Sequence, residues 1–264
     1  MYVVTRQSET IFFRCDSICL DFVVISPSLQ EADMAATEPR PRVLEGASLT
    51  HDLRYYGDSA FGDHKIAFMV KHCKDKDVLD VGCVQHDPQA YNSRYWVHKA
   101  VKAVARSIVG LDLHEEGVKV LKAQGFDVIL ADAENFDLGR AFDVIVAGDI
   151  IEHLGDLNGF LTSCKKHLRP NGRLLISTPN PWYWRNIVKA ALHKEVGNNP
   201  EHVVWICARL LRQLVHRHGM EVGEIQFGSR FMRDRLLPLP RGWKHTSYHA
   251  EVFASSGHST ATPR

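Results

Sequence analysis

Short, nearly continuous apolar runs recur through the middle of the chain, and each is followed by a stretch with helical spacing of its apolar residues. Residues 77–81, 108–112, 127–130, 142–148 and 173–177 read as five strands. Their apolar character is unbroken rather than alternating, as in parallel strands covered on both faces. Between and around them, helices are predicted over 64–72, 91–105, 115–124, 157–168 and 208–218. Gly125 and Gly219 stand where a left-handed residue would close a helix. Residues 169–172 read as a tight turn, and 221–227 and 248–254 as strands six and seven, the last antiparallel at the edge. Strands and helices in alternation predict an α/β fold: a doubly wound, mostly parallel, seven-stranded sheet with an antiparallel edge strand.

Several of these strands end in an acid. Val78-Leu79-Asp80-Val81-Gly82-Cys83 closes strand one, and Gly82 supplies the turn by which a chain leaves a buried strand beside a ligand. Strand two ends at Asp112, placed to accept the hydroxyls of a ribose. A dinucleotide fingerprint needs three glycines as G-x-G-x-x-G; here Val84 and His86 stand where further glycines would be, which counts against a pyrophosphate cofactor. Asp112 also follows Gly82 by 30 positions, against about 20 in the nicotinamide pattern. A cofactor without phosphates meets neither objection.

The ends of the chain differ from its middle. Residues 1–45 mix interrupted apolar patches with Pro27, Pro39 and Pro41 and read as a disordered leader or linker, with the folded protein proper beginning as late as Met34. A single domain is expected over 46–255, and 256–264 as a flexible tail. The 32 basic and 31 acidic side chains leave a formal net charge of +1, so no nucleic-acid partner is expected. No run is apolar enough to span a bilayer. The six cysteines lack the paired spacing of a zinc site or a disulfide framework, which reads as reduced thiols and a cytoplasmic location. Oligomeric state is not legible.

Taken together, the tip of strand one, Gly110-Leu111-Asp112, Ala131-Asp132-Ala133-Glu134, Phe142-Asp143-Val144-Ile145, Ile151-Glu152-His153-Leu154 and Leu168-Arg169-Pro170-Asn171-Gly172-Arg173 resemble, in order and spacing, the class I S-adenosylmethionine-dependent methyltransferases that act on small molecules. The resemblance covers roughly residues 50–255. It implies a Rossmann-like methyltransferase fold and S-adenosylmethionine as cofactor. It also implies that Asp80, Gly82 and Cys83 line the methionine part, that Asp112 with Leu113 holds the ribose, and that Asp132, Ala133 and Glu134 frame the adenine. Gly148 and Tyr56 complete the implied cofactor set, Tyr56 either folding over the cofactor or simply packing.

Methyl transfer from a sulfonium is an in-line displacement, so the protein mainly aligns donor and acceptor. Asp149, Glu152 and His153 follow strand four, where an acceptor would lie; on a helical turn they would share a face. His153, helped by Glu152, is the candidate general base for an acceptor that loses a proton, which favours O-methylation. The same three side chains form a candidate site for Mg2+ or another divalent metal; a structural cap is the competing reading. Trp182, Tyr183 and Trp184 are candidates for a lid, a substrate wall or plain packing; His202 lies where a substrate lid would close, and it and the other downstream histidines read as surface or structural. Two further classes stay open: a non-catalytic binder that keeps the fold, suggested by Val84, and a nicotinamide-dependent oxidoreductase.

Overall fold

The computed structural model describes residues 60–85, 91, 93, 95–192, 194, 199–228, 231, 234 and 236–254. The leader, the tail and Tyr56 lie outside the described residues. Seven strands form one sheet: β1 (Asp77–Val81), β2 (Ser107–Asp112), β3 (Val128–Leu130), β4 (Phe142–Gly148), β5 (Leu168–Pro179), β6 (Met220–Phe227) and β7 (Ser247–Ala254). Their spatial order is β3-β2-β1-β4-β5-β7-β6. Strands β1 to β5 pair parallel, and β7 runs antiparallel to both β5 and β6. The antiparallel strand thus enters at one end of the sheet, and β6 closes the edge beside it.

The chain moves outward from β1 to β2 and β3, then returns to lay β4 on the other side of β1. That reversal opens a crevice above the carboxyl ends of β1 and β4, where the connecting loops part in opposite directions.

Both faces of the sheet are buried. Leu79, Val81, Val109, Leu111, Ile145, Leu174 and Ile176 pack with Phe160, Leu161 and Cys164 of α4 (Leu157–His167) and Leu211 and Val215 of α6 (Ala208–Arg217). The alternate residues Val78, Val144, Val146 and Leu175 face Phe68, Met69 and Cys73 of α1 (Ala60–Cys73) and Val101 of α2 (Val97–Lys102). Period-two alternation of side chains therefore feeds two cores, and each such aliphatic side chain contributes about 1.5–3 kcal/mol of burial. Helix α3 (Glu115–Ala123) buries Val118 and Leu121, and α5 (Trp184–Ala191) follows β5.

Two elements depart from the sequence expectation. The helix expected over 91–105 is confined to Val97–Lys102. Before it, Ser93 holds a turn, its hydroxyl accepting from Tyr95 N at 3.1 Å and its carbonyl from Trp96 N at 3.2 Å. The turn expected at 169–172 is a bulge inside a longer β5: Leu168 pairs with Phe142 and Arg173 with Val144, and the chain between loops out through Asn171 at φ 63°. Arg169 reaches from this bulge to Asp77 and Asp143 at 2.8 and 2.9 Å, and Arg106 binds the same two carboxylates at 2.7 and 2.9 Å. Hydrogen bonds from the two guanidiniums hold the Asp77 carboxyl well below its ordinary pKa. The network clamps the amino ends of β1, β4 and β5 and leaves the carboxyl edge for the site.

One core residue carries a titratable ring. His249 on β7 stands opposite Ser177 of β5, is buried, and stacks on Phe68 at 5.5 Å. Neither ring nitrogen has a hydrogen-bond partner. Burial pushes its pKa down to about 4, against the pull of the Asp149 charge. The unfolded chain, with an imidazole pKa of about 6.5, therefore binds the proton that the folded state refuses. Stability from this group is complete above that value and drains as pH falls towards the folded pKa, by up to about 1.4 kcal/mol per pH unit. Denaturant titrations of the parent and of His249→Phe at pH 7 and 5 should show the larger loss in the parent; equal losses would refute the assignment.

Candidate active site

The crevice at the strand reversal holds a cleft of about 300 Å3, at the small end of the usual range for ligand pockets of about 300–1,000 Å3. Its floor is Gly82, after β1. Asp112 and Leu113, after β2, form one wall, and Asp132, Ala133 and Glu134, after β3, form the far end. Ile150, His153 and Leu154, after β4, close the near side. Six of the ten residues expected around a cofactor thus meet in one cleft, although they come from three separate loops.

Gly82 has φ +75°, and a Cβ there would stand 2.6 Å from Ile150 Cδ1. The turn therefore needs glycine twice over, for its backbone angle and for the room that Ile150 occupies. Asp112 ties the loops together: its Oδ2 accepts from Val84 N at 2.8 Å and its Oδ1 from His114 N at 2.9 Å. Each oxygen keeps a second lone pair. Burial raises the Asp112 pKa, and the two amide bonds oppose the shift.

The missing second glycine at position 84 is compensated elsewhere. A Cβ on Gly117 of α3 would lie 2.3 Å from Val84 Cγ1, and one on Gly110 of β2 would lie 2.6 Å from Cys83 Sγ. Glycines on neighbouring elements therefore house the side chains of the loop, and its backbone can follow the crevice despite them. Among the residues after β3, Asp132 Oδ1 accepts from Glu134 N at 2.8 Å, while Glu134 Oε1 accepts from Gly155 N at 2.6 Å and Asp156 N at 3.1 Å. Glu134 thus fixes the loop that carries Leu154.

Three expected cofactor residues stand behind the cleft rather than on it. Asp80 is buried with its Oδ2 3.0 Å from His98 Nδ1. The Cys83 thiol is buried under Gly110, its pKa pushed up by burial, while the Cys83 carbonyl accepts from Trp96 Nε1 at 2.8 Å. Gly148 pairs with Ser177 inside the sheet. Ile150 and Leu154, which the sequence reading missed, are apolar residues of an irregular segment, with no period to mark them.

The expected trio Asp149, Glu152 and His153 is divided. Asp149, at φ 56°, turns to Lys65 Nζ at 2.6 Å and Ser177 Oγ at 2.5 Å. Glu152 instead accepts from Thr178 Oγ1 at 3.0 Å. Ser177 and Thr178 are adjacent on β5 and point to opposite faces of the sheet, so the two acids straddle it. Residues 151–153 form one turn of 3-10 helix after a left-handed residue, so the α-helical spacing that would align all three does not apply. Burial tends to raise the Asp149 pKa, but the Lys65 ammonium and the Ser177 hydroxyl hold it below its ordinary value. Glu152 is shifted upwards by burial and by the Asp149 charge.

In place of Asp149, the structure brings up His202. Val203 N and Val204 N donate to the Glu152 carbonyl at 2.9 and 3.2 Å, and this backbone strap sets the His202 ring 4.7 Å from that of His153. Ligand atoms of Glu152, His153 and His202 all lie within 4.8 Å of one another. Nothing near position 202 in sequence marks the partnership, since 48 residues separate it from His153 and the strap forms only in three dimensions.

The profile of the methyltransferase domain family matches residues 53–225. A probable S-adenosylmethionine-dependent methyltransferase of Mycolicibacterium smegmatis is 29% identical over 167 residues, 61% of this chain and 59% of that protein. A ubiquinone biosynthesis O-methyltransferase of Pelagibacter ubique is 27% identical over 134 residues, 48% and 52% of the two chains. The chain therefore spans little more than half the length of these relatives. A crystal structure of a methyltransferase from Archaeoglobus fulgidus superimposes with a TM-score of 0.56 at 17% identity, covering 76% of this chain and 96% of that one. At that identity the likeness concerns the fold.

A Gly82→Ala variant tests the geometry. The left-handed backbone angle alone should cost about 1–2 kcal/mol of stability. Displacement of Ile150 should weaken cofactor binding beyond that loss. A variant that melts and binds like the parent would contradict the placement of Gly82 at the cleft floor.

Proposed function

Because the chain belongs to the class I S-adenosylmethionine-dependent methyltransferases, we propose that it binds this cofactor in the cleft and methylates a small-molecule acceptor, with oxygen the favoured receiving atom. The observation that carries the reading is the convergence of Gly82, Asp112 and the Asp132–Glu134 turn on one cleft at the strand reversal. The residues present suit the cofactor. The half-buried Asp112 offers a free lone pair on each oxygen to a ribose diol, Leu113, Ala133, Ile150 and Leu154 offer apolar contact to a base, and no phosphate cradle is required.

When bound, the cofactor supplies a methyl group on a sulfonium, already activated for displacement. The chain's own task is alignment and proton handling. Gly82 and Ile150 shape the floor on which the donor rests, and the loop fixed by Glu134 borders it. His153 lines the same cleft, which supports its role as the base that takes the proton an acceptor hydroxyl gives up. The ubiquinone O-methyltransferase among the relatives supports an oxygen acceptor. The housing of Val84 by Gly117 removes the reason for reading the chain as a non-catalytic binder. The free thiols Cys73, Cys83, Cys164 and Cys207 support a reducing, cytoplasmic setting.

A second reading of the same residues is a divalent-metal site. The grouping of Glu152, His153 and His202 favours it, with Asp149 left out. Two imidazoles and one carboxylate suit Mn2+ or Zn2+ better than Mg2+. There the ion would orient the acceptor oxygen, and His153 would be a ligand instead of a base.

S-adenosylhomocysteine at one hundred times its dissociation constant should stabilise the protein by about 2.7 kcal/mol. NADH should give no shift, and Asp112→Ala should abolish the response; a shift with NADH alone would sink the proposal. With a labelled methyl donor and an acceptor found by screening, His153→Ala should lower kcat by about 100-fold or more with the cofactor response retained. If activity is lost on dialysis against chelator and returns with Mn2+ or Zn2+ in the parent but not in His202→Ala, the metal reading holds; indifference to chelator excludes it.

A further inference from the structure

Asp149 begins the segment that leaves β4, and its backbone is held in the left-handed region at φ 56°. Aspartate tolerates that angle better than most residues, yet the conformation still costs energy and persists only where the surroundings impose it. Three bonds impose it here. Asp149 N donates to the Ser177 carbonyl at 3.0 Å, Ser177 Oγ donates to Asp149 Oδ1 at 2.5 Å, and Lys65 Nζ donates to Asp149 Oδ2 at 2.6 Å. The first two involve β5, which pairs with β4 in the sheet. The third comes from α1, 84 positions away in the chain. Held at one oxygen from β5 and at the other from α1, the carboxylate is fixed in plane as well as in place.

What Asp149 fixes is the residue after it. Ile150 lines the cleft, and its side chain fills the space beside Gly82: a Cβ there would meet Ile150 Cδ1 at 2.6 Å and Ile150 Cβ at 3.2 Å. The Ile150 carbonyl accepts from His153 N at 2.9 Å and so starts the turn that carries His153. A rotation at Asp149 would therefore move the cleft floor and the candidate base together, and close packing leaves little slack to absorb it. Helix α1 is seated independently of the ion pair. Phe68 and Met69, one turn beyond Lys65 on the same face, are buried, and so is Cys73. Burial of these side chains holds the helix. The Lys65 side chain is 22% exposed and that of Asp149 41%, a pairing of the kind that contributes little to stability. Its effect is on geometry.

We propose that Lys65 is a positioning residue for the cleft: through Asp149 it sets Ile150 against Gly82, and so sets the floor on which the methyl donor rests. The consequence for cofactor binding rests on the methyltransferase reading; the consequence for Ile150 does not.

In the full chain with labelled isoleucine methyls, the Ile150 Cδ1 resonance is identified by its absence from Ile150→Val. In Lys65→Met, with no ligand present, this resonance should shift, while the melting temperature falls by no more than about 4 °C. The dissociation constant for S-adenosylhomocysteine should rise about tenfold, and Lys65→Arg should restore most of the parent affinity. Asp149→Asn keeps a residue that tolerates the left-handed angle and can still accept from Ser177. Combined with Lys65→Met, it should weaken binding no further than Lys65→Met alone, because the two side chains act as one unit. An Ile150 resonance that stays in place, parent-like affinity in Lys65→Met, or additive losses in the double variant overturns the proposal. So does a lowered melting temperature with unchanged affinity, the mark of a purely structural pair. A parent that does not respond to S-adenosylhomocysteine removes the cofactor reading and the binding half of the proposal with it; the methyl resonance decides the Ile150 half either way.

Discussion

The Asp112 carboxylate is the fixed point of the site. One oxygen holds the backbone of the loop after β1 through Val84, and the other holds the backbone after β2 through His114. The carboxylate adds a side-chain tie to the backbone bonds that Gly82 N and Cys83 N make to the Leu111 carbonyl at 2.8 and 3.3 Å. Burial disfavours the charge, and two amide donors make the charged form tolerable there. A carboxylate already oriented by backbone needs no rearrangement to receive hydroxyl groups, which is the economy of a preorganised site.

The sheet makes that point possible by separating its two ends. At the amino edge, Arg106 and Arg169 bind Asp77 and Asp143 and lock the strands in register. At the carboxyl edge the polar groups are spread among separate partners: Asp149 to Lys65 and Ser177, Glu152 to Thr178, Glu134 to backbone amides. The tip of β5 separates the two acids after β4, because neighbouring residues of a strand face opposite ways. Only Glu152 and His153 remain on the side where the His202 strap can reach them.

Substitutions in the loop after β1 show how packing can replace a motif. Cys83 and Val84 carry side chains where a glycine-rich turn would carry none, and Gly110 and Gly117 give up theirs to accommodate them. A pattern search confined to the loop sees a defect; the neighbouring strand and helix show the compensation.

Much of the fold was legible in the order of residues alone. Strands β1 and β4 were delimited to the residue, because an apolar run ending at an acid or a glycine is a local signal of a buried strand. Gly82, Asp112 and the Asp132–Glu134 turn were identifiable because each stands at or just past the end of such a strand. The shortened α2, the bulge in β5, the retreat of Asp80 behind His98, the division of Asp149 from Glu152 and the arrival of His202 were not. All of these but the shortened α2, which a local turn at Ser93 delimits, depend on a contact between residues far apart in the chain. Local periodicity carries information about which face a residue presents; which groups share that face is decided only when the strands take their places side by side.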